Sequence, residues 1–179
     1  MFNSKKLKKI REQSSLVFHS QLLNTLNPLE RYELLQLCHR RKYKEGEYIY
    51  YQNDPGTGLY LIESGRVELI YEPEEDDKDL LTHTLEAPKS FGTLSIGYEL
   101  RRLSSARCSS DATLLGFFNP DFSTLKDRHP RIAVKLLEEL SLIALKQLER
   151  TTQELTQVSG TEEAFRILIQ SYKNDGRQS

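Results

Sequence analysis

The chain has 179 residues, of which 37% are hydrophobic, and its 25 lysines and arginines nearly balance its 26 aspartates and glutamates. This length suits one globular domain with some appended helix, and a net charge of −1 excludes general attraction to nucleic acid or anionic membranes. Its two cysteines lack metal-ligand spacing, and no apolar run approaches a membrane span. We therefore expect a cytoplasmic protein without membrane insertion, disulfide framework or zinc site.

Residues 1–17 are predicted to form a basic arm that precedes the domain. Its four lysines and one arginine surround Leu7 and Ile10. This pattern is typical either of a segment that binds phosphates or acidic lipids or of a solvated helix face, and the few charges favour the solvated face. Leucines at helical spacing between Leu16 and Cys38 then predict two short helices, with Asn27-Pro28 at the break.

The pattern changes to that of strands after Cys38. Residues 41–72 alternate, contain β-branched and aromatic side chains, and are interrupted by glycine and proline. An acidic stretch at 72–79 is predicted to be a solvated hairpin tip, and the segment LLTHTLE resumes the strand pattern. Ser109–Phe118 predicts a further, buried strand. Regular short strands at this spacing indicate a sandwich or a jelly roll.

Helical spacing returns at Asn119. The sequence Asn119-Pro120-Asp121 is typical of a helix N-terminus, with Asn119 as the cap and proline at the first helical position. His129-Pro130 begins a longer helix that we expect to reach about Val158. Ser159-Gly160 then ends it, and a short amphipathic helix is predicted from about Thr161 to Lys173.

The long helix carries a seam of residues spaced alternately by four and three. Such a heptad seam packs either on the domain's own strands or on a second copy of the chain. Its length favours a homodimer, since one small barrel cannot cover about seven turns of helix. The seam consists of Leu137, Ser141, Ala144, Leu148, Thr151, Leu155 and Val158.

Two short motifs and the order of the elements carry a family resemblance. The segment YKEGEYIY (43–50) is similar to a basic-x-Gly-Glu turn that opens a β-roll, and YLIESGRVEL (60–69) is similar to a Y-x-I-x-x-G-x-V hairpin. With the pair of helices over 120–148, they resemble the cyclic-nucleotide-binding domain family, most closely the effector half of the catabolite activator protein type of bacterial regulator.

The resemblance extends from about Phe18 to Val158 and implies a fold. We expect an α+β, mainly β protein, with a cyclic-nucleotide-binding-type β-roll or jelly roll, N-terminal helices and a long C-terminal helix. The predicted domain organisation is accordingly a basic arm at 1–17, the domain with its long helix at 18–158, and a short terminal helix and tail at 159–179.

The family's phosphate-binding cassette aligns with 91–106. Its usual form is Phe-Gly-Glu, a short helix and Arg-Ser/Thr-Ala. The resemblance implies that backbone N–H groups of Gly92, Thr93 and Leu94 face an anionic phosphate and that Arg102 pairs with it, with Arg101 as a possible substitute. The candidate ligand-binding residues are Phe91, Gly92, Thr93, Leu94, Glu99, Arg101, Arg102 and Ser104.

Two departures from the family pattern weaken this site. Thr93 replaces the glutamate that accepts the ribose 2′-hydroxyl in the family, and Leu103 follows the arginine where Ser or Thr is usual, with Ser104 one place late. Loss of a charged acceptor lowers the affinity for a cyclic nucleotide roughly ten- to hundredfold, since such a hydrogen bond contributes about 1.5–3 kcal/mol. A weaker bond from Thr93, or Glu99 reaching inward from the loop, would compensate.

A structural interpretation of the cassette also stays open, in which Phe91 packs in the core, Gly92 makes a turn and Arg102 pairs with a carboxylate such as Glu99.

Two functional hypotheses follow. The first is a non-enzymatic regulatory or interaction module with a degenerate cassette, acting through protein partners of unknown identity. The alternative is a sensor of cyclic AMP, cyclic GMP or another nucleotide that signals to a separate effector by moving the long helix. Scattered histidines and the lack of a nucleophile elbow or Walker loop disfavour an enzyme. A single short helix after Gly160 disfavours sequence-specific DNA binding.

Overall fold

The computed structural model describes residues 19–73, 79–97 and 100–173. The predicted basic arm, the centre of the acidic tip and Glu99 lie outside these ranges. Two compact units are distinguished, with the division between Leu140 and Ser141.

The described chain before the strands contains a 3-10 turn and an α-helix. The turn is Gln21–Leu23, and helix α1 spans Pro28–Gln36. Asn27 caps α1, because its side chain accepts the N–H groups of Leu29 and Glu30 while the Glu30 carboxylate accepts the N–H of Asn27. The predicted break at Asn27-Pro28 is confirmed. Of the first predicted helix, the described part after Ser20 is only the 3-10 turn, whose leucines are buried.

In the described residues, eight antiparallel strands form two four-stranded sheets. The strands are β1 His39–Tyr43, β2 Tyr48–Tyr50, β3 Gly58–Ser64, β4 Arg66–Tyr71, β5 Leu81–Glu86, β6 Ser90–Phe91, β7 Ser105–Cys108 and β8 Ala112–Phe118. One sheet has the order β1-β8-β3-β6 and the other the order β2-β7-β4-β5. This arrangement confirms the predicted α+β, mainly β roll.

The turn at Gly65 corrects one prediction. The segment 60–69 is predicted to be a hairpin, yet β3 and β4 belong to different sheets. Gly65 has a φ of +85°, and a β-carbon there would lie 2.3 Å from the Asp111 carbonyl oxygen. Only glycine fits this left-handed corner, which carries the chain from one sheet to the other. Alternation along a strand does not reveal which sheet the strand joins.

The predicted strand at Ser109–Phe118 is also corrected. Residues 109–111 form a turn, so β8 begins at Ala112, and β7 precedes the turn without having been predicted. β8 pairs with both β1 and β3, and its residues from Ala112 to Phe117 are buried.

The core lies between the inward faces of the two sheets. Tyr43, Ile62, Phe91 and Leu114 contribute from one sheet, and the other sheet contributes the second set of buried side chains. This second set comprises Val67, Leu85, Ala106 and Cys108. Burying one such large aliphatic side chain stabilises the fold by about 1.5–3 kcal/mol.

Up to residue 173, where the described part of the chain ends, three helices follow the strands: α2 Asn119–Arg128, α3 Pro130–Ser159 and α4 Thr161–Lys173. Helix α2 begins at Asn119 itself, so Asn119 is not its cap. Instead, Asp121 accepts the N–H of Phe118 at 2.8 Å. The predicted long helix and the following short helix are confirmed, and Gly160, with φ +84°, separates them. None of the helices in the described ranges is both long and apolar enough to cross a membrane.

Within α3, the buried side chains end at Leu140. Of the predicted seam, Leu137, Ser141, Leu148 and Thr151 are exposed, whereas Ala144 and Leu155 are partly buried. Val158 is also exposed.

Candidate ligand-binding site

Arg102 is the central charged residue of the cassette and is only 5% exposed. Its Nη1 donates to Ser95 Oγ at 3.1 Å, and its Nη2 donates to the Gly58 carbonyl oxygen at 2.8 Å. Its Nε has no hydrogen-bond partner within the described residues. The guanidinium is therefore held by neutral acceptors, and its Nε–H has no acceptor among the described residues.

The loop from Asn53 to Gly58 positions the backbone of Arg102. The Arg102 N–H donates to the Asp54 carbonyl at 2.9 Å, and the Asn53 N–H donates to the Arg102 carbonyl at 2.8 Å. A β-carbon on Gly56 would lie 2.3 Å from Ser95 Oγ. Glycine is therefore required at 56 for the loop to approach the cassette this closely.

Gly92 begins the turn that follows β6. Its φ of +69° precedes a 3-10 helix of three residues, Thr93–Ser95. The predicted short helix is thus a single turn, too short to carry a helix macrodipole. Within the described ranges no acceptor is recorded for the N–H groups of Thr93 and Leu94, whereas the Ser95 N–H donates to the Gly92 carbonyl at 3.2 Å. Of the backbone N–H groups in this turn, that of Ser95 thus has a recorded backbone acceptor in the described residues.

The structure brings together only part of the predicted set. Phe91, Gly92 and Arg102 meet in the roll, and Thr93 is partly buried beside them. Leu94 is 39% exposed and Ser104 is partly buried. Arg101 is exposed and donates to the Asn53 carbonyl at 2.8 Å, so it does not share the Arg102 environment. Glu99 lies outside the described residues.

An aromatic cluster beside Arg102 was missed by sequence reasoning. The Cζ of Arg102 lies 4.2 Å from the ring centroid of Tyr50. The rings of Tyr50 and Tyr60 are 6.1 Å apart, and Tyr60 stacks on Phe91 at 5.2 Å. The alternation of side chains along a strand could have indicated it, because residues two apart lie on the same face, and Tyr60 therefore shares the face of the buried Ile62 on β3.

The tyrosines of this cluster are hydrogen-bond donors. Burial raises the pKa of Tyr50 to about 12, against the opposing effect of the Arg102 charge. Burial also raises the pKa of Tyr60, with Arg102 and Arg41 acting in the opposite direction. Both phenols thus stay protonated at neutral pH, and no acceptor is recorded for either hydroxyl in the described part of the chain.

A separate surface cavity of about 330 Å³ is lined by residues of β1, β8 and the end of β3. Lys44 and Asp111 line it and form an ion pair at 2.8 Å. This cavity includes no cassette residue. Among the described residues, no three histidine, cysteine or acidic side chains are grouped to hold a metal ion.

Comparison with known proteins agrees with this geometry. A family profile described as the cyclic nucleotide-binding domain matches residues 40–129. The cyclic AMP receptor protein of Thermus thermophilus is 31% identical over 148 residues, which cover 83% of this chain and 66% of that protein. The crystal structure of the Thermus thermophilus catabolite activator protein superposes with a TM-score of 0.69 at 31% identity, covering 78% of this chain and 63% of that one.

A crystal structure of a cyclic nucleotide-binding domain from Methylobacillus flagellatus shares the fold, with a TM-score of 0.67 at 18% identity and 84% of each chain covered. The chain spans somewhat less than two thirds of the length of each Thermus protein. The predicted resemblance to the catabolite activator protein type is confirmed. Because the profile matches half of its length, the chain belongs to the cyclic nucleotide-binding domain family.

Proposed function

We propose that this chain is a non-enzymatic regulatory module that acts through protein partners and whose degenerate cassette does not bind a cyclic nucleotide. The observation that carries the proposal is the state of Arg102. The family resemblance assigns this arginine to the phosphate, yet here it donates to Ser95 and Gly58 inside the protein.

The engagement of Arg102 makes phosphate binding costly. A phosphate that takes the two N–H groups now donated to Ser95 and Gly58 must displace both of these acceptors. Hydrogen bonds from a charged donor contribute about 1.5–3 kcal/mol each, so a phosphate has to offset their loss.

Thr93 adds a second cost at the ribose. A neutral hydroxyl stands where the family has a carboxylate, so the sugar loses its charged acceptor. The two effects act on different parts of a cyclic nucleotide, and each lowers its affinity.

The proposed partners include a second copy of the chain. Leu137 is 39% exposed and Leu148 is 52% exposed on α3. Exposed leucines at heptad spacing are typical of a helix that packs against another helix. We propose a homodimer through this seam, and a further protein that reads the module.

The state of the cysteines supports a reducing compartment such as the cytoplasm. Cys38 and Cys108 are both free. Burial raises the pKa of each thiol, to about 11 for Cys108, so neither is activated as a thiolate.

One observation favours the alternative of a nucleotide sensor. The Nε of Arg102 and the N–H groups of Thr93 and Leu94 have no recorded acceptor within the described residues. These three donors suit the oxygens of a phosphate.

Calorimetric and thermal-shift titrations with cyclic AMP and cyclic GMP at millimolar concentration separate the two functions. The proposal predicts no binding heat and no shift with either nucleotide. A ligand at 100 times its Kd stabilises by about 2.7 kcal/mol, which produces a visible shift for a domain of this size. Such a shift would favour the sensor. The Thermus thermophilus cyclic AMP receptor protein serves as the positive control.

A further inference from the structure

We propose that the free edge of β1 binds an extended acidic segment of a partner protein as an added strand. This proposal rests on the proposed function, because it names the class of partner through which the module acts. The edge of β1 shares no residue with the cassette.

Strand β1 lies at one edge of its sheet. Its five residues, His39–Tyr43, pair with β8 on one side only. Within the described ranges, no backbone hydrogen bond of these residues is recorded outside that pairing. An edge strand presents a row of N–H and C=O groups on its open side, and an extended peptide can pair with them as an additional strand.

Charge distinguishes β1 from the other edge strands. It contains His39, Arg40, Arg41 and Lys42, whereas β2, β5 and β6 contain no lysine or arginine. Like charges on facing strands are destabilising, so the open edge of β1 disfavours pairing with a second β1 strand. The same charges favour a strand of opposite sign. The charge pattern therefore selects an acidic segment.

Lys42 is the cation of β1 that we expect to make the main contact. Arg40 pairs with Glu63 at 2.7 Å, and the His39 ring lies 3.0 Å from Asp121. No ion pair of Lys42 is recorded within the described residues. A carboxylate beside Lys42 therefore gains a charged partner without breaking an existing ion pair.

The surface cavity of about 330 Å³ described above lies beside Lys42. Lys42 pairs with Thr113, and Thr113 pairs with Ser64, so these three lining residues form a row across the sheet. Thr113 alternates with the core residue Leu114, which places the row on the face turned away from the core. A register shift between Ile62 and Ser64 lets Ser64 join this face although Ile62 lies in the core.

The cavity adds hydroxyl groups to the charge of Lys42. In the described part of the chain, no hydrogen bond of the Thr113 or Ser64 hydroxyl is recorded. The Asp111 carboxylate is already paired, because one oxygen accepts Lys44 Nζ at 2.8 Å and the other accepts the Glu45 N–H at 3.1 Å. One ammonium group and two hydroxyls are thus available to the oxygens of an incoming carboxylate.

The partner segment follows from this arrangement. Alternate side chains of an added strand lie on the same face of the sheet. A segment in which acidic residues alternate with β-branched residues therefore directs its carboxylates to the face of Lys42, while the β-branched residues favour the extended conformation.

NMR titration of the full chain with a capped hexapeptide, in which glutamate alternates with valine, tests the proposal. We expect saturable shifts of the β1 backbone amides with a Kd at or below about 1 mM. The same peptide with lysine in place of glutamate is expected to bind at least about tenfold more weakly. Absence of a saturable shift in β1, or equal affinity for both peptides, would overturn the proposal.

Two N-methylated forms of the glutamate peptide test whether binding uses the backbone. In an extended strand the glutamate N–H groups point to one edge and the valine N–H groups to the other. Methylation of only one of these sets therefore blocks pairing with β1. We expect one methylated peptide to bind at least about tenfold more weakly and the other to stay within about twofold of the parent peptide. Equal affinities of the two methylated peptides would contradict an added strand.

A variant locates the contact. Lys42→Gln is expected to weaken binding of the glutamate peptide about fivefold, as suits an exposed ion pair. The matched control is Lys146→Gln, because Lys146 is an exposed lysine of α3 outside the sheet, and it is expected to leave the Kd unchanged. Equal losses in the two variants would show non-specific attraction and overturn the proposal. Unaltered thermal unfolding of the Lys42 variant excludes misfolding as the cause.

The outcomes also separate this inference from the proposed function. If neither the glutamate peptide nor a cyclic nucleotide binds, the proposed function stands and the inference fails. If the peptide binds β1 and cyclic AMP binds the cassette, the proposed function fails while the edge site is retained. Shifts of the β1 amides that grow with protein concentration in the absence of peptide would assign the edge to a second copy of the chain and overturn the choice of an acidic partner.

Discussion

Arg102 packs so closely on Gly92 that a β-carbon at position 92 would lie 2.5 Å from Arg102 Nη1. Gly92 also has a φ of +69°, a conformation that side chains other than glycine rarely adopt. The glycine of the cassette is thus required twice in this chain, once by the turn and once by the inward arginine.

Gly92→Ala is therefore expected to lower the free energy of unfolding by about 2–3 kcal/mol, because it strains the backbone and displaces Arg102. Gly46→Ala is the matched control, since Gly46 has φ +86° but open space around its Cα. We expect the control to lower the free energy of unfolding by about 1 kcal/mol, because it introduces backbone strain alone. Urea denaturation measures both. Equal losses would mean that Arg102 does not occupy the space beside Gly92.

Thr93→Glu is expected to increase affinity for cyclic AMP roughly ten- to hundredfold, because it restores a charged acceptor for the ribose. Calorimetry of the variant measures this gain. Thr84→Glu is the control, since Thr84 is an exposed residue of β5 with no place in the cassette. If Thr93→Glu binds no better than the control, the engaged Arg102 or the loop at Leu103 limits binding.

The ion pair between Glu30 and Lys135 predicts an acid-sensitive contribution to stability. Lys135 Nζ lies 2.7 Å from each carboxylate oxygen of Glu30 and connects α1 to α3. The Lys135 hydrogen bond and the Asn27 N–H hold the pKa of Glu30 below its ordinary value. A carboxyl group with a lowered folded pKa stabilises above its unfolded pKa, and the contribution disappears as the pH falls through the folded pKa.

Lys135→Met should accordingly lower the free energy of unfolding by about 1 kcal/mol at neutral pH, a figure limited by the partial exposure of the pair. The difference from the wild type should shrink as the pH falls below the ordinary range of a glutamate. Urea unfolding across that pH range measures this difference. The control is Lys146→Met, because Lys146 is an exposed lysine of α3. A difference independent of pH would assign the loss to packing instead.

Leu148→Glu is expected to convert the proposed homodimer to a monomer, because it places a charge in a packed helix seam. Gln147→Glu adds the same charge on an exposed position outside the seam and is expected to leave the dimer intact. Sedimentation velocity at micromolar concentration measures the mass. A monomeric wild type would refute the homodimer.

The sequence predicts those features that depend on local chemistry. Glycine and proline positions indicated the turn at Gly65 and the start of α3, and the heptad pattern indicated the length of α3. The pairing of β3 and β4 was wrong because alternation gives the faces of a strand but not its neighbours. The orientation of Arg102 was also beyond sequence, because its acceptor at Gly58 lies 44 residues away and depends on the closed roll.

The Nε–H signal of Arg102 in an NMR spectrum recorded with saturating cyclic AMP is the most direct test of a cassette closed to nucleotides. Because the Arg102 Nε has no hydrogen-bond partner among the described residues, a cyclic phosphate bound beside Arg102 would accept a hydrogen bond from it and shift its signal. We expect the signal to keep its position at millimolar cyclic AMP. A saturable shift of that signal, accompanied by perturbation of the Thr93 amide, would contradict it.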